Sequence, residues 1–184
     1  MFNVEDFKAK LQYGGARPNL FKIEITTWGG QQTLDGALGE KMSYLAKASS
    51  LPASTVAKIP VNFRGRIINV AGDRSFEDWT VTFYNDNDFS IRNKFEEWMH
   101  SYMNAHVGNI GPTEPNQYKA DMSVHQLTKD GETAKIYKFV GAFPTSVASI
   151  GLDFGTENSI EEFEVTFAYD YWVDSSNNQQ STSE

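Results

Sequence analysis

The sequence predicts a mainly β (α+β) fold, an antiparallel β-barrel or sandwich of six or seven strands with one flanking α-helix. Three observations predict it. Apolar and polar residues alternate with period two in several separate stretches, as in Trp79, Val81 and Phe83 against Thr80, Thr82 and Tyr84. One stretch switches to helical spacing, with Ile91, Phe95, Trp98 and Tyr102 at intervals of four, three and four. Thr128-Lys129-Asp130-Gly131 lies between two further extended stretches, and its Asp-Gly supplies the positive backbone angle that a tight hairpin needs.

Taken in order, residues 1–18 read as a lead-in, with a turn at Gly14-Gly15 and an extended approach at Arg17-Pro18. Residues 20–28 put Phe21, Ile23 and Ile25 on one face and Lys22, Glu24 and Thr26 on the other, which makes a half-buried strand. Residues 29–42 (GGQQTLDGALGEKM) hold four glycines and little periodicity, and read as a long functional or mobile loop. Residues 43–49 read either way. Residues 56–70 are rich in β-branched side chains and read as extended chain bent near Pro60 and Gly65.

The strand at 78–84 is followed by the helix at 91–103. Asp88 or Ser90 is placed to cap it by accepting from its first free amides. Residues 104–119, marked by Gly108, Gly111, Pro112 and Pro115, read as loop. Residues 121–127 and 134–140 are the strands of the Asp-Gly hairpin, and Phe143-Pro144 reads as a turn. The longest alternation is 160–173, with Phe163, Val165, Phe167, Tyr169 and Tyr171 facing one way. The Ser, Asn, Gln and acidic residues of 174–184 have nothing to bury, so they read as a polar flexible tail behind a single domain, 1–173.

The bulk numbers exclude several functions. A chain of 184 residues, 40% hydrophobic, has enough apolar material for one core without metal or disulfide. It contains no cysteine, so thiolate metal sites and Cys nucleophiles are out. Its first residues carry Glu5 and Asp6 and lack the basic start and apolar run of a secretory signal; nor does any stretch reach the length of a membrane span, so synthesis in a cytosol is expected. The net charge of -8 is the wrong sign for gripping a phosphate backbone.

No catalytic, cofactor-binding or metal-ligating set emerges. His100 and His106 are six apart and do not share a helix face, and His125 is remote from both. Asp86, Asp88, Ser90 and Glu97 fit four positions of a calcium loop, but Ile91 stands where that loop needs glycine. The stretch from Gly36 to Lys41 lacks phosphate-loop spacing and the following Ser or Thr. Glu96-Glu97 and Glu161-Glu162 read as solvated carboxylates, not as a converging acid–base pair.

Other segments carry a resemblance. Ala16-Arg17-Pro18-Asn19-Leu20-Phe21 is one, and Lys58-Ile59-Pro60-Val61 another. Ile68-Asn69-Val70-Ala71-Gly72-Asp73-Arg74 leads into Phe76-Glu77-Asp78-Trp79-Thr80-Val81, and Phe143-Pro144-Thr145 comes before Glu162-Phe163-Glu164-Val165-Thr166-Phe167 and Asp170-Tyr171-Trp172. In this order, from about residue 16 to 173, they resemble tail tube proteins of contractile-tailed (myovirus-type) bacteriophages. The resemblance implies a barrel or sandwich flanked by a helix, similar to the type VI secretion tube protein. It also implies a structural virion protein, without catalysis, cofactor or metal. Hexameric rings would stack helically into the inner tail tube, the conduit for DNA ejection. The implied partners are further copies of the chain, the tail sheath outside, tape measure protein and then DNA in the lumen without specific binding, and baseplate and tail terminator proteins; no membrane is implied. The implied place is the virion tail, with the host cytoplasm during synthesis and assembly. Residues 29–42 look longer than the family pattern, and those past Val173 look like an addition.

From this follow several expectations. Strands join a continuous inner barrel, the helix at 91–103 faces the sheath, and the loops 29–42 and 104–119 fasten ring to ring. Deleting 30–40 then leaves a folded monomer. An excess of acids faces the lumen, and Arg17, Arg64, Arg66 and Arg74 either decorate the surface or pair across subunits. A tube initiator or terminator of the same fold, a type VI tube protein and a monomeric β-barrel binding module are the alternatives.

Overall fold

In the computed structural model, which describes residues 3–11, 15–30, 32–101, 111–112 and 114–174, the period-two stretches join one seven-stranded antiparallel sheet. In chain order the elements begin with α1 (Val4–Lys10), β1 (Phe21–Ile25), β2 (Thr27–Trp28), β3 (Gln32–Thr33), α2 (Gly36–Leu45) and β4 (Ala46–Ser49). There follow β5 (Ser54–Phe63), β6 (Arg66–Phe76), β7 (Trp79–Tyr84), α3 (Ser90–Ser101) and β8 (Ala120–Leu127). The chain closes with β9 (Thr133–Val147), β10 (Glu162–Ala168) and β11 (Tyr171–Asp174). The main sheet runs β1-β8-β9-β10-β7-β4, with β11 paired to β9 off that path. β2–β3 and β5–β6 form two separate ribbons.

The core lies where the alternations predict. Ile23 and Ile25 of β1, Met122 and Val124 of β8, Val81 and Phe83 of β7, and Val165 and Phe167 of β10 all point inward. β9 joins the two halves of the sheet, because its first part pairs β8 and β11 and its last part pairs β10. That lets the two halves face each other across the core, with Trp79 stacked on Phe139 at 4.3 Å. α3 lays Ile91, Phe95 and Trp98 on the sheet, Phe95 meets Phe83 and Phe167, and the Trp98 indole donates to the Tyr118 carbonyl at 2.8 Å. Asp88 serves its start, accepting from the Ser90 amide at 3.1 Å.

Five expectations need correcting. Residues 29–42 are not a free loop: they hold β3 and the first turns of α2, and Leu34 and Met42 are in the core. Gly36 and Gly39 dilute the helical signal of α2, which is held by packing against β1 more than by propensity. The lead-in contains a helix, α1, whose Asn3 accepts from the Glu5 amide, so the described chain has three α-helices. Pro60 causes no bend, because β5 runs through it; in a two-stranded ribbon each strand is an edge, where a missing N–H is tolerated.

Phe143-Pro144 is not a turn either. β9 continues to Val147, helped by Gly141 at φ 66 and a register shift opposite Thr166 and Phe167. The long alternation at 160–173 is two strands. The break at Tyr169 and Asp170 reverses which side chains face in, so Tyr171 is exposed while Trp172 packs on Tyr137. β11 reaches Asp174, which pairs with Tyr137. Residues 102–103 of the expected helix, most of the loop before Gly111 and the tail 175–184 lie outside the described residues.

Candidate assembly interface

The feature that sets this surface apart is the β5–β6 hairpin. Its strands, ten and eleven residues long, pair with each other and with no other described strand. At about 3.3 Å per residue the ribbon extends on the order of 30 Å. Arg64 (φ 46) and Gly65 (φ 81) form a two-residue loop with both angles positive, the geometry that matches the strands' twist. Opposed residues share a face: Ile59 meets Val70, Val61 meets Ile68 and Phe63 meets Arg66. The other face carries Lys58, Pro60, Asn62, Asn69 and Ile67.

Ile59, Val61, Phe63, Ile68 and Val70 thus line one apolar side, and all are exposed, from 46% to 58%. An isolated two-stranded ribbon is marginal in water. Already about half covered, each of these side chains still gains roughly 1 kcal/mol when the rest is buried. Among the described residues of a single copy nothing covers them.

Smaller apolar patches accompany the hairpin. α1 exposes Val4 and Phe7, and Leu11 just after it is exposed at the next helical interval. The connection from β9 to β10 exposes Leu152, Phe154 and Ile160. A groove of about 630 Å³ between α2 and the β1 edge is lined by Phe21, Ile25, Leu34, Tyr44 and Leu127, with Glu24, Asp35 and Glu40 beside them.

Of the four arginines read as a group, Arg64 lies in the hairpin turn and Arg66 directly after it, Arg74 lies near the hairpin's root and the Arg17 carbonyl accepts from the Gln126 side-chain amide. They do not form one cluster. Arg74 stacks on aromatic rings, a role that a charge count does not reveal.

Among the described residues, the one close grouping of hydroxyl, imidazole and carboxylate considered has the wrong geometry for catalysis. Ser123 Oγ lies 3.0 Å from His125 Nε2, and Glu24 Oε2 lies 3.3 Å from the same nitrogen. A hydroxyl-activating relay needs the hydroxyl and the carboxylate on opposite ring nitrogens, so this trio is no nucleophilic site. A hydrogen bond from Lys22 holds the Glu24 carboxyl below its ordinary value. Lys41 bridges Asp86 at 2.6 Å and Asp88 at 2.8 Å, and its hydrogen bond is the main reason that Asp88 is lowered to about 2. This joins α2 to the start of α3. Among the described residues no three His, Cys, Asp or Glu side chains could hold a metal, and no helix is long and apolar enough to cross a membrane. His100 sits near the end of α3, and His106 lies outside the described residues.

Comparison with known proteins agrees with a surface built for assembly. The family model described as phage tail tube protein matches residues 16–175. Tail tube protein gp19 of Enterobacteria phage T4 is 42% identical over 171 residues, which cover 92% of this chain and 98% of that one. The tail tube protein of Serratia phage KSP90 is 26% identical, covering 92% and 95%. Among solved structures, a chain of the anti-feeding prophage baseplate superposes with a TM-score of 0.64 at 11% identity, covering 86% of this chain and 94% of that one. A chain of the sheath-tube complex of an extracellular contractile injection system, PVC, does so with 0.55 at 14% identity, covering 95% and 98%. At such identities these two show a shared fold.

Proposed function

The chain belongs to the phage tail tube protein family, and from that premise we propose that six copies close into a ring and rings stack helically into the inner tube of a contractile tail. Its role as a structural component of the tube comes with the family. The observation that supports the stacking is the hairpin with its uncovered apolar face. A ribbon reaching about 30 Å from its own domain meets a different surface on its neighbour, which is the heterologous contact an open-ended polymer requires. The edges of β1 and β4 offer unpaired backbone groups through which sheets of adjacent copies can join into an inner barrel.

The hairpin replaces 29–42 as the segment that fastens ring to ring. Deleting 30–40 removes Leu34 and half of α2, so the expected result is now an unfolded chain. In this reading the outer face of α3, with Asn93, Glu97 and His100 exposed, meets the sheath. The net charge of -8 suits a lumen wall that repels DNA phosphates, while tape measure protein occupies the lumen before the DNA. Baseplate and terminator proteins would close the two ends. The chain acts through these contacts without catalysis. The virion tail is its place, after synthesis and assembly in the host cytoplasm.

Negative-stain electron microscopy of the purified chain before and after concentration tests the reading. Hollow tubes or stacked rings are expected. Single closed rings that never stack would point to an initiator or terminator, and monomers at every concentration, even when seeded with tube fragments, would overturn it.

A further inference from the structure

We propose that Arg74 and Trp172 form a bracket that fixes the direction in which the hairpin projects, and that tube assembly depends on this bracket. The proposal rests on the reading of the hairpin as the contact between copies. The hairpin joins the sheet through two short connections, 50–53 before β5 and 77–78 after β6. Two covalent connections alone form a hinge. With a ribbon of about 30 Å, a tilt of about 10° at the root carries the tip sideways by about 5 Å, far beyond the tolerance of a packed interface.

The contacts that can prevent such a tilt converge from β11. The Arg74 guanidinium lies 5.0 Å from the centre of the Phe76 ring and 4.9 Å from that of Trp172. It also donates to Ser54 Oγ at 3.0 Å, across the ribbon. The Trp172 indole donates to the Ala53 carbonyl at 3.3 Å, in the residue just before β5 begins. One side chain of β11 therefore touches both legs of the hairpin.

Trp172 is itself held. Its ring meets Tyr137 edge-on at 5.4 Å, and β11 pairs with β9 from Tyr137 to Val140. On the other leg, Phe76 meets Tyr169, and Tyr169 meets Phe139 in the core. The root is thus tied to the sheet through rings on both sides. Arg74 makes no ion pair with any described residue, so its charge acts on the two rings. The break between β10 and β11 acquires a purpose here. A strand continuing the register of Phe163, Val165 and Phe167 would expose position 172 and face 171 inward; the break at Tyr169 and Asp170 turns Trp172 towards the hairpin.

The absence of native cysteine allows a direct test. Spin labels on cysteines replacing Asn62, on the polar face of the hairpin, and Glu164, exposed on β10, report the hairpin's direction as a distance distribution below the assembly concentration. One narrow distribution is expected in the parent. Arg74→Gln and Trp172→Phe should broaden it about twofold, while Arg74→Lys, which keeps a cation over the rings, should restore most of the narrowness. In unlabelled chains, Arg74→Gln should raise the concentration needed for tubes roughly tenfold or more. Arg74 is exposed, so this variant keeps its fold even if a change at Trp172 does not.

An unchanged distribution in folded Arg74→Gln would overturn the bracket while leaving the hairpin reading intact. A broadened distribution with tubes forming at the parent's concentration would overturn the dependence of assembly on the hairpin's direction.

Discussion

β7 and the far half of the hairpin are written alike and surrounded differently. Trp79, Val81 and Phe83 alternate with Thr80, Thr82 and Tyr84, and Ile59, Val61 and Phe63 alternate with Pro60 and Asn62. Yet Val81 and Phe83 are 0% exposed, while Val61 and Phe63 are 46% and 58% exposed. In β7 the cover comes from α3, β9 and β10 of the same chain. On the hairpin no described element of the same chain lies over the apolar face. Alternation tells which side of a strand is to be covered; it does not tell whether the same molecule does the covering.

That difference breaks most sharply under substitution. Phe83→Ala should cost about 3–5 kcal/mol of folding stability in denaturant melts, through the cavity it leaves. Val61→Asp should change the same melts by no more than about 0.5 kcal/mol, and should abolish tubes seen by electron microscopy. If both variants unfolded equally, the hairpin would be part of the monomer's core and the distinction would fail.

The next effect in size concerns the bend of β9. Gly141 has φ 66, and a methyl there would run into the Asp170 carboxylate, which pairs with Lys119 at 2.7 Å. Gly141→Ala should therefore cost about 1–3 kcal/mol in chemical denaturation. Thermal melting of Gly65→Ala should give a smaller loss, since that site has a similar φ of 81 but open space around it. At the hairpin turn, Arg64 holds φ 46, and Arg64→Asn should favour the ribbon by roughly 0.5 kcal/mol. It should be visible as a modest fall in the concentration at which sedimenting tubes appear.

The smallest effect is electrostatic. Asp88 is lowered from 3.8 to about 2, so what it contributes to stability is present above 3.8 and lost as pH falls through about 2. Lys41 is raised above 10.5, chiefly by Asp86 and then Asp88, so its share is full below that value and lost only as pH rises past it. Lys41→Met should melt slightly below the parent at pH 6 and level with it near pH 2. A constant difference across that range would mean that packing of the lysine stem, and not its charge, is what the substitution removes.

Much of the sheet was legible because each buried strand has a simple period. Ile23 and Ile25, the β7 trio and Phe163, Val165 and Phe167 occupy the face that alternation assigns them. The Asp-Gly turn was legible too, and Gly131 has φ 84. α2 was hidden because Gly36 and Gly39 look like loop residues, and only the sheet beneath explains why the segment coils. β11 was misread because alternation was carried through Tyr169 and Asp170, where the backbone slips and later faces invert. The hairpin was visible as extended chain, but nothing local in Val56, Ile59 or Val70 says that it projects. Its apolar residues have the composition of a core, and their exposure is a property of topology.

In the proposed tube the Arg64-Gly65 loop, at the far end of a ribbon that the described residues of its own domain leave bare, gives the filament a direction. Where every joint consists of one subunit's reaching arm laid on the next subunit's body, one terminus always ends in arms and the other in bodies. The two ends then differ in stickiness, in shape and in the proteins able to seal them. Growth and stopping can be assigned to separate ends with no signal beyond which half of the joint is showing.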